Sequence, residues 1–311
     1  MPRNSHAHRS LVATTVAVTG AAVALVATVL TGLGEPAVGE RASPVPPVRQ
    51  GAVTEDDRLL HDAEQRLLRD CMRRHGFTYR VFPLDEDPGT KAFAYVLDDA
   101  AWARRHGYGS ELRGKRAALA KTDPNRAYFA ALPADRKAKA LVAANGPSPE
   151  GLIVRLPGGG TVQRSDRGCV AESQQRLYGD VGAWFRASTR VEALEQIRRS
   201  RVMADAGYLE RLGEWRVCMR RAGHAFATPA AARAAAVSAV HSLGKDREVG
   251  LALTEVRCAE ESALARTARR LDDHHGGLLA RDYRADVEAR DRLRAAALPR
   301  ARRLLNGGPQ G

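Results

Sequence analysis

The 311-residue chain has only four cysteines, and none of them forms a C-x-x-C pair, which excludes a thioredoxin-like redox motif. No pair has zinc-ligand spacing either. Aromatic residues make up 5% of the chain, so a core must rest on alanine, leucine and valine. Lysine is scarce, at six positions among 49 basic residues, and the arginines that replace it are interleaved with acids along helical stretches such as EARDRLR at 288–294. A scattered arrangement of this kind, with no recognisable nucleic-acid module, argues against a nucleic-acid partner. No G-x-S-x-G, H-E-x-x-H, phosphate loop or dinucleotide fingerprint occurs. Pro157-Gly158-Gly159-Gly160 has no following G-K-[ST], and the acids of Asp85-Glu86-Asp87-Pro88-Gly89 do not alternate as calcium ligands do. Ser242-Leu243-Gly244-Lys245 fits S-x-x-K, but its companion motifs K-T-G and S-D-N are missing. These absences point away from an enzyme, and no cofactor is expected.

What the chain does contain begins at its N-terminal region. Arg3 and Arg9 precede an uncharged run from Leu11 to Gly34, the order of an export signal. Residues 1–39 therefore read as a signal peptide, with cleavage after Ala37-Val38-Gly39, or as an uncleaved signal anchor, since a span needs about 20 apolar residues. An anchor would give membrane contact through residues 11–34. No cysteine lies near this run, so a lipid-bearing anchor is not expected. Either reading leaves the bulk of the chain extracytoplasmic, where disulfides are the default state of paired cysteines. The net charge is +13, and +12 without residues 1–39 with their Arg3, Arg9 and Glu35. Outside a membrane that charge attracts anionic lipid, wall polymer or acidic protein surfaces.

One short stretch occurs twice. Cys71-Met72-Arg73-Arg74-His75-Gly76 returns as Cys218-Met219-Arg220-Arg221-Ala222-Gly223, each with a large apolar residue three positions earlier, Leu68 and Trp215. Each copy reads as the last turn of a helix stopped by a left-handed glycine. The other two cysteines also match, as Cys169-Val170-Ala171-Glu172-Ser173 and Cys258-Ala259-Glu260-Glu261-Ser262, or C-x-x-E-S near a helix start. Four cysteines allow three connectivities. The repeat symmetry favours Cys71–Cys169 and Cys218–Cys258, one bridge in each of two related half-domains, 54–179 and 180–305.

The rest of the chain supports a helical reading. A Pro-rich linker covers 40–53, and Thr54-Glu55-Asp56-Asp57 opens a helix with a capping-box pattern in which Leu60, Ala63, Leu67 and Cys71 keep helical spacing. Helices are expected over 91–106, 110–121 and from Pro133 to Asn145. Leu152–Leu156 and Thr161–Arg164 form a hairpin, and Ser165 or Asp166 caps the helix carrying Cys169. A long helical stretch follows from Asp180, Thr228 caps a helix that runs to His241, and further helices span 246–271 and 278–305, with Pro299 in the last and a disordered tail at 306–311. The fold class is all-α, a disulfide-stapled helical array with one small hairpin near 152–164. The candidate metal ligands are Asp272, Asp273, His274 and His275, expected at a helix end before Gly276-Gly277.

The export signal, L/W-x-x-C-M-x-x-x-G and G-C-x-x-E-S-x-x-x-L-Y-G at Gly168–Gly179 together resemble uncharacterised secreted or membrane-anchored proteins of actinobacteria such as streptomycetes. The resemblance covers about residues 55–270 and departs at the lipobox cysteine that many of those proteins carry. It implies a helical, disulfide-stapled extracytoplasmic protein and no activity. The leading expectation is a non-enzymatic envelope protein that binds an envelope partner. One alternative is an envelope enzyme with a metal at Asp272–His275. The other is a peripheral protein on anionic membrane or wall polymer, although the basic C-terminal helix lacks Trp or Phe anchors.

Overall fold

The computed structural model describes residues 53–307 apart from 83, 85–90, 92 and 239. The export segment, nearly all of the Pro-rich linker, the Asp85–Gly89 turn and residues 308–311 lie outside the described residues. Among the described residues no helix is long and apolar enough to cross a membrane.

The architecture is all-α with one hairpin. Helices α1 (Glu55–Arg74), α2 (Ala100–His106), α3 (Ser110–Lys121), α4 (Pro124–Ala131) and α5 (Ala134–Asn145) precede strands β1 (Gly151–Arg155) and β2 (Thr161–Ser165). Helices α6 (Cys169–Tyr178), α7 (Val181–Ala204), α8 (Ala206–Arg221), α9 (Pro229–Ser238), α10 (Val240–Glu261), α11 (Leu264–Asp282) and α12 (Arg284–Asn306) follow. The strands pair antiparallel, with Ile153 opposite Gln163 and Val154 opposite Val162.

Local chemistry explains most boundaries. Thr54 and Asp57 form a reciprocal capping box, and α1 carries acids in its first turn and arginines in its last, as its dipole favours. Leu60, Ala63, Leu67 and Cys71 are all buried on one face. At its C-terminus the Gly76 N–H bonds to Arg73 and the Phe77 N–H to Met72. The same two bonds close α8, from Gly223 to Arg220 and from His224 to Met219. Both glycines are left-handed, at φ 77° and 86°, so the repeated motif is one capping structure built twice.

Two disulfides tie the array, Cys71–Cys169 and Cys218–Cys258, and no cysteine is free. Both have Cα–Cα distances of 5.5 Å. Beside each bridge lies the glutamate of its C-x-x-E-S helix. Glu172 Oε2 is 3.2 Å from Cys71 Sγ, and Glu261 Oε2 is 3.2 Å from Cys218 Sγ. Each bridge thus joins a C-M helix to a C-x-x-E-S helix, in the order that the repeat suggests.

The packing nevertheless crosses the 179/180 division. Helix α12 lies on α1 and α6, where Ala297 and Ala301 meet Leu60, Leu67 and Leu177. Residues 93–110 pack in the opposite direction, on α10, with Leu97 and Tyr108 against Ala252 and Val256. A third cluster surrounds Trp215, which is fully buried among Tyr208, Leu212, Met219 and Cys258.

The boundaries differ from the sequence reading at several places; α4 is not expected from it, and α10 begins at Val240 rather than at 246. Residues 91 and 93–99 are not helical; Glu255 takes the Leu97 N–H and Arg233 takes the Phe93 carbonyl, leaving Asp99 to cap a short α2. The helix carrying Cys258 stops at Ala263, in the left-handed region at φ 56°, where the Ser262 hydroxyl donates to the Cys258 carbonyl. Gly168, not Ser165 or Asp166, precedes α6; Ser165 Oγ accepts from Arg167 N instead. Gly276 and Gly277 stay inside α11, which runs to Asp282, so the last helical stretch is divided at Tyr283.

Candidate ligand-binding cleft

A cleft of about 1200 Å³ lies between α1 and α7, partly covered by α4 and α5. Its walls follow from helical spacing. Helix α1 contributes Glu64, Leu68 and Met72 at i, i+4 and i+8, and α7 contributes Thr189, Glu192, Ala193 and Gln196 at i, i+3, i+4 and i+7. Helix α4 brings Tyr128 and Phe129, and α5 brings Ala140, Leu141 and Ala144. The segment after the α1 cap adds Phe77 and Tyr79.

The cover is held at its edges. Asn125 and the Arg80 backbone exchange two hydrogen bonds, 2.7 Å from Arg80 N to Oδ1 and 2.8 Å from Nδ2 to the Arg80 carbonyl. Arg136 of α5 donates to the Gly76 carbonyl at 2.8 Å and lies 4.6 Å from the Phe77 ring centroid. The glycine cap of α1 therefore positions both the aromatic wall and the arm that roofs it. A shallower groove of about 670 Å³ runs outside this arm, past His75, Arg136 and Glu172.

One end of the cleft is polar. Gln174 donates to Glu64 Oε1 at 2.9 Å and accepts from the Arg164 guanidinium, so an amide stands between the acid and the base. The Tyr178 hydroxyl lies at the limit of hydrogen-bond reach, 3.4 Å from Glu64 Oε2. Tyr79 donates to Gln65 at 2.7 Å. Arg164 packs its guanidinium 4.7 Å from the Phe185 centroid, and its Nε, inaccessible to solvent, has no hydrogen-bond partner. Burial pushes the Glu64 carboxyl up despite Gln174 and Arg164, and lowers Arg164 against the pull of Glu64. Glu192, on the α7 wall, is also raised, first by desolvation and then by Glu195.

Comparison with known proteins finds no match. No family model, curated protein or solved structure matches the chain.

The residues singled out from sequence lie elsewhere. Asp272 is half-buried on α11, 2.9 Å from Arg198 Nε and accepting from the Tyr95 hydroxyl at 2.5 Å. His275, one turn on, lies 3.5 Å from Asp205 Oδ2. Asp273 and His274 point outward and are exposed. Successive helical residues project about 100° apart, so the four side chains do not converge. Among the described residues one trio has ligand atoms close enough to hold a metal, Cys71, His75 and Cys169, and its two sulfurs are bonded to each other. Gly244, at φ 73°, interrupts α10 between Ser242 and Lys245, so they do not share one helical turn.

A second buried polar cluster is structural. Glu255 is fully buried and accepts from Leu97 N at 2.9 Å and from the Tyr108 hydroxyl at 2.5 Å. Glu248 Oε1 accepts from Tyr108 N and Ser110 N, and so closes the start of α3. Sequence reading missed the cleft altogether. Its polar residues are spread from Glu64 to Gln196, and only the buried Cys71–Cys169 bridge hinted that α1 and α6 face each other.

Proposed function

We propose that the chain is a non-enzymatic extracytoplasmic envelope protein, a binding or accessory module whose working element is the α1–α7 cleft. The observation that carries this reading is the cleft itself, with aromatic and aliphatic walls and a few convergent polar groups at one end, which is the anatomy of a ligand pocket. Both cysteine pairs being bridged supports an oxidising compartment. The metal-enzyme alternative at Asp272–His275 has less support, because Asp272 is committed to Arg198 and Tyr95. Attachment to anionic wall or lipid remains as a second activity of the same molecule, supported by the net charge of +12 without residues 1–39.

The test is native mass spectrometry of the protein isolated from its own cell envelope, beside Ala193→Trp and Ala144→Trp, which place an indole in the cleft. The expected result is a non-covalent adduct on the wild type that both folded variants lose. An adduct retained equally by both variants, or none on the wild type, overturns the reading.

A further inference from the structure

The two copies of the C-M motif differ at one position that matters chemically. His75 lies one helical turn after Cys71, and Ala222 stands at the equivalent place after Cys218. The backbone is nearly the same at both, φ −83° and ψ 3° at His75, φ −85° and ψ 7° at Ala222. The difference is therefore an imidazole added to one copy of a shared scaffold. Its ring brings a nitrogen within 4.8 Å of both Cys71 Sγ and Cys169 Sγ. Glu172 adds a fourth donor, with Oε2 3.2 Å from Cys71 Sγ, while Arg74 pairs with its other oxygen. Two sulfurs, an imidazole and a carboxylate are a donor set that suits zinc, whose tetrahedral ligand atoms stand about 3.4–3.8 Å apart. Small side-chain rotations bring the trio to that spacing once the sulfurs are free to part. Arg74 orients the carboxylate and offsets part of its charge, as outer-shell partners of metal ligands do. Both sulfurs are buried, whereas His75 and Glu172 line the open groove of about 670 Å³, which gives an ion and a reductant a route to the bridge.

We propose that, with its bridge reduced, the Cys71–Cys169 site binds a zinc ion through both sulfurs, His75 and Glu172, so that the bridge and the metal are alternative states of one site. A dithiol reductant breaks the S–S bond by exchange, giving two electrons and two protons to the sulfurs and leaving as its own disulfide. Zinc then displaces both thiol protons and takes the thiolates as ligands. In the reverse direction an oxidising disulfide accepts two electrons from the thiolates and two protons from solvent and leaves as two thiols. The ion departs as the bridge re-forms. The Cys218–Cys258 site, with alanine in place of the histidine, stays a structural bridge.

The experiment titrates cobalt(II), a spectroscopic stand-in for zinc, into the whole protein before and after reduction with a phosphine, with circular dichroism recording the fold. The expected result is one tightly bound ion per reduced chain and none on the bridged protein. The bound ion should show the thiolate charge-transfer band and the intense visible bands of a tetrahedral site, and zinc should displace it. His75→Ala, an exposed change at the end of α1, should weaken binding at least about 10–100-fold, the effect of losing even an outer-shell partner. Ala222→His should add a second ion. The proposal falls if the reduced, folded protein shows no cobalt–thiolate band, if the bridged protein binds cobalt equally, or if His75→Ala binds it as tightly as the wild type. It falls as well if reduction abolishes the helical signal and zinc does not restore it, since the four donors then do not meet.

Discussion

Replacing Glu255 by alanine should be among the most damaging single changes in the molecule. The carboxylate holds residues 93–110 onto α10 through the Leu97 N–H and the Tyr108 hydroxyl, and it is fully buried. Glu255→Ala strands both donors, at about 1–3 kcal/mol each, and leaves a void; the expected loss is ~3–5 kcal/mol. Glu255→Gln keeps the shape and an acceptor for Leu97, so its cost should stay within about 1 kcal/mol. The pH dependence has a definite sign. Burial raises the folded carboxyl above its ordinary 4.5. The stability it contributes is therefore fully present below that ordinary value and drains away as pH rises through the raised folded one. Glu255→Gln removes this titration, so its stability relative to wild type should improve steadily from acid to neutral pH. Urea unfolding followed by circular dichroism at several pH values measures both effects. An alanine variant within about 1 kcal/mol of wild type, or parallel pH profiles for wild type and Glu255→Gln, would refute the assignment of this carboxylate as the anchor.

Three further outcomes are expected. Gly76→Ala and Gly223→Ala should each cost about 1–2 kcal/mol, and by similar amounts, since both residues are left-handed and nothing lies within 4 Å of the added methyl; unequal losses in urea unfolding would break the equivalence of the two caps. Removing the Cys71–Cys169 bridge should cost more than removing Cys218–Cys258, because the sequence separations are 98 and 40; chain entropy gives about 4.7 and 3.9 kcal/mol, and thermal unfolding of the paired alanine variants gives the order. Asp272→Ala should destabilise by about 3 kcal/mol by leaving the buried Arg198 without its partner, whereas a chelator should leave the melting temperature of the wild type unchanged.

How far the sequence leads depends on how local each determinant is. The capping box at Thr54–Asp57, the left-handed Gly76 and Gly223, the Thr228-Pro229 start of α9 and the Pro157–Gly160 hairpin turn are all decided within a few residues, and all are legible. The bridge pattern is legible for another reason: the motif is written twice. The extended path of 93–99 is not legible, since Glu255 and Arg233, which take its Leu97 N–H and Phe93 carbonyl, lie far away in the chain. Neither is the break at Ala263, which has no glycine or proline to mark it and depends on the Ser262 hydroxyl. Gly276-Gly277 misleads in the opposite direction. The pair reads as a stop, yet Gly276 is buried within α11 and the helix continues over it to the buried Leu279 and Ala280. The cleft needs five helices and a strand to be placed before Glu64, Gln174 and Arg164 become neighbours.

The most direct measurement is site-specific photo-cross-linking in the native envelope. A photoreactive phenylalanine analogue at Tyr128, inside the cleft, is compared with one at Val217, on the exposed face of α8. The account predicts a discrete small-molecule adduct at position 128, lost on adding Ala193→Trp, and none at 217. Adducts at 217 with position 128 silent would place the working surface on the outer helices and contradict it.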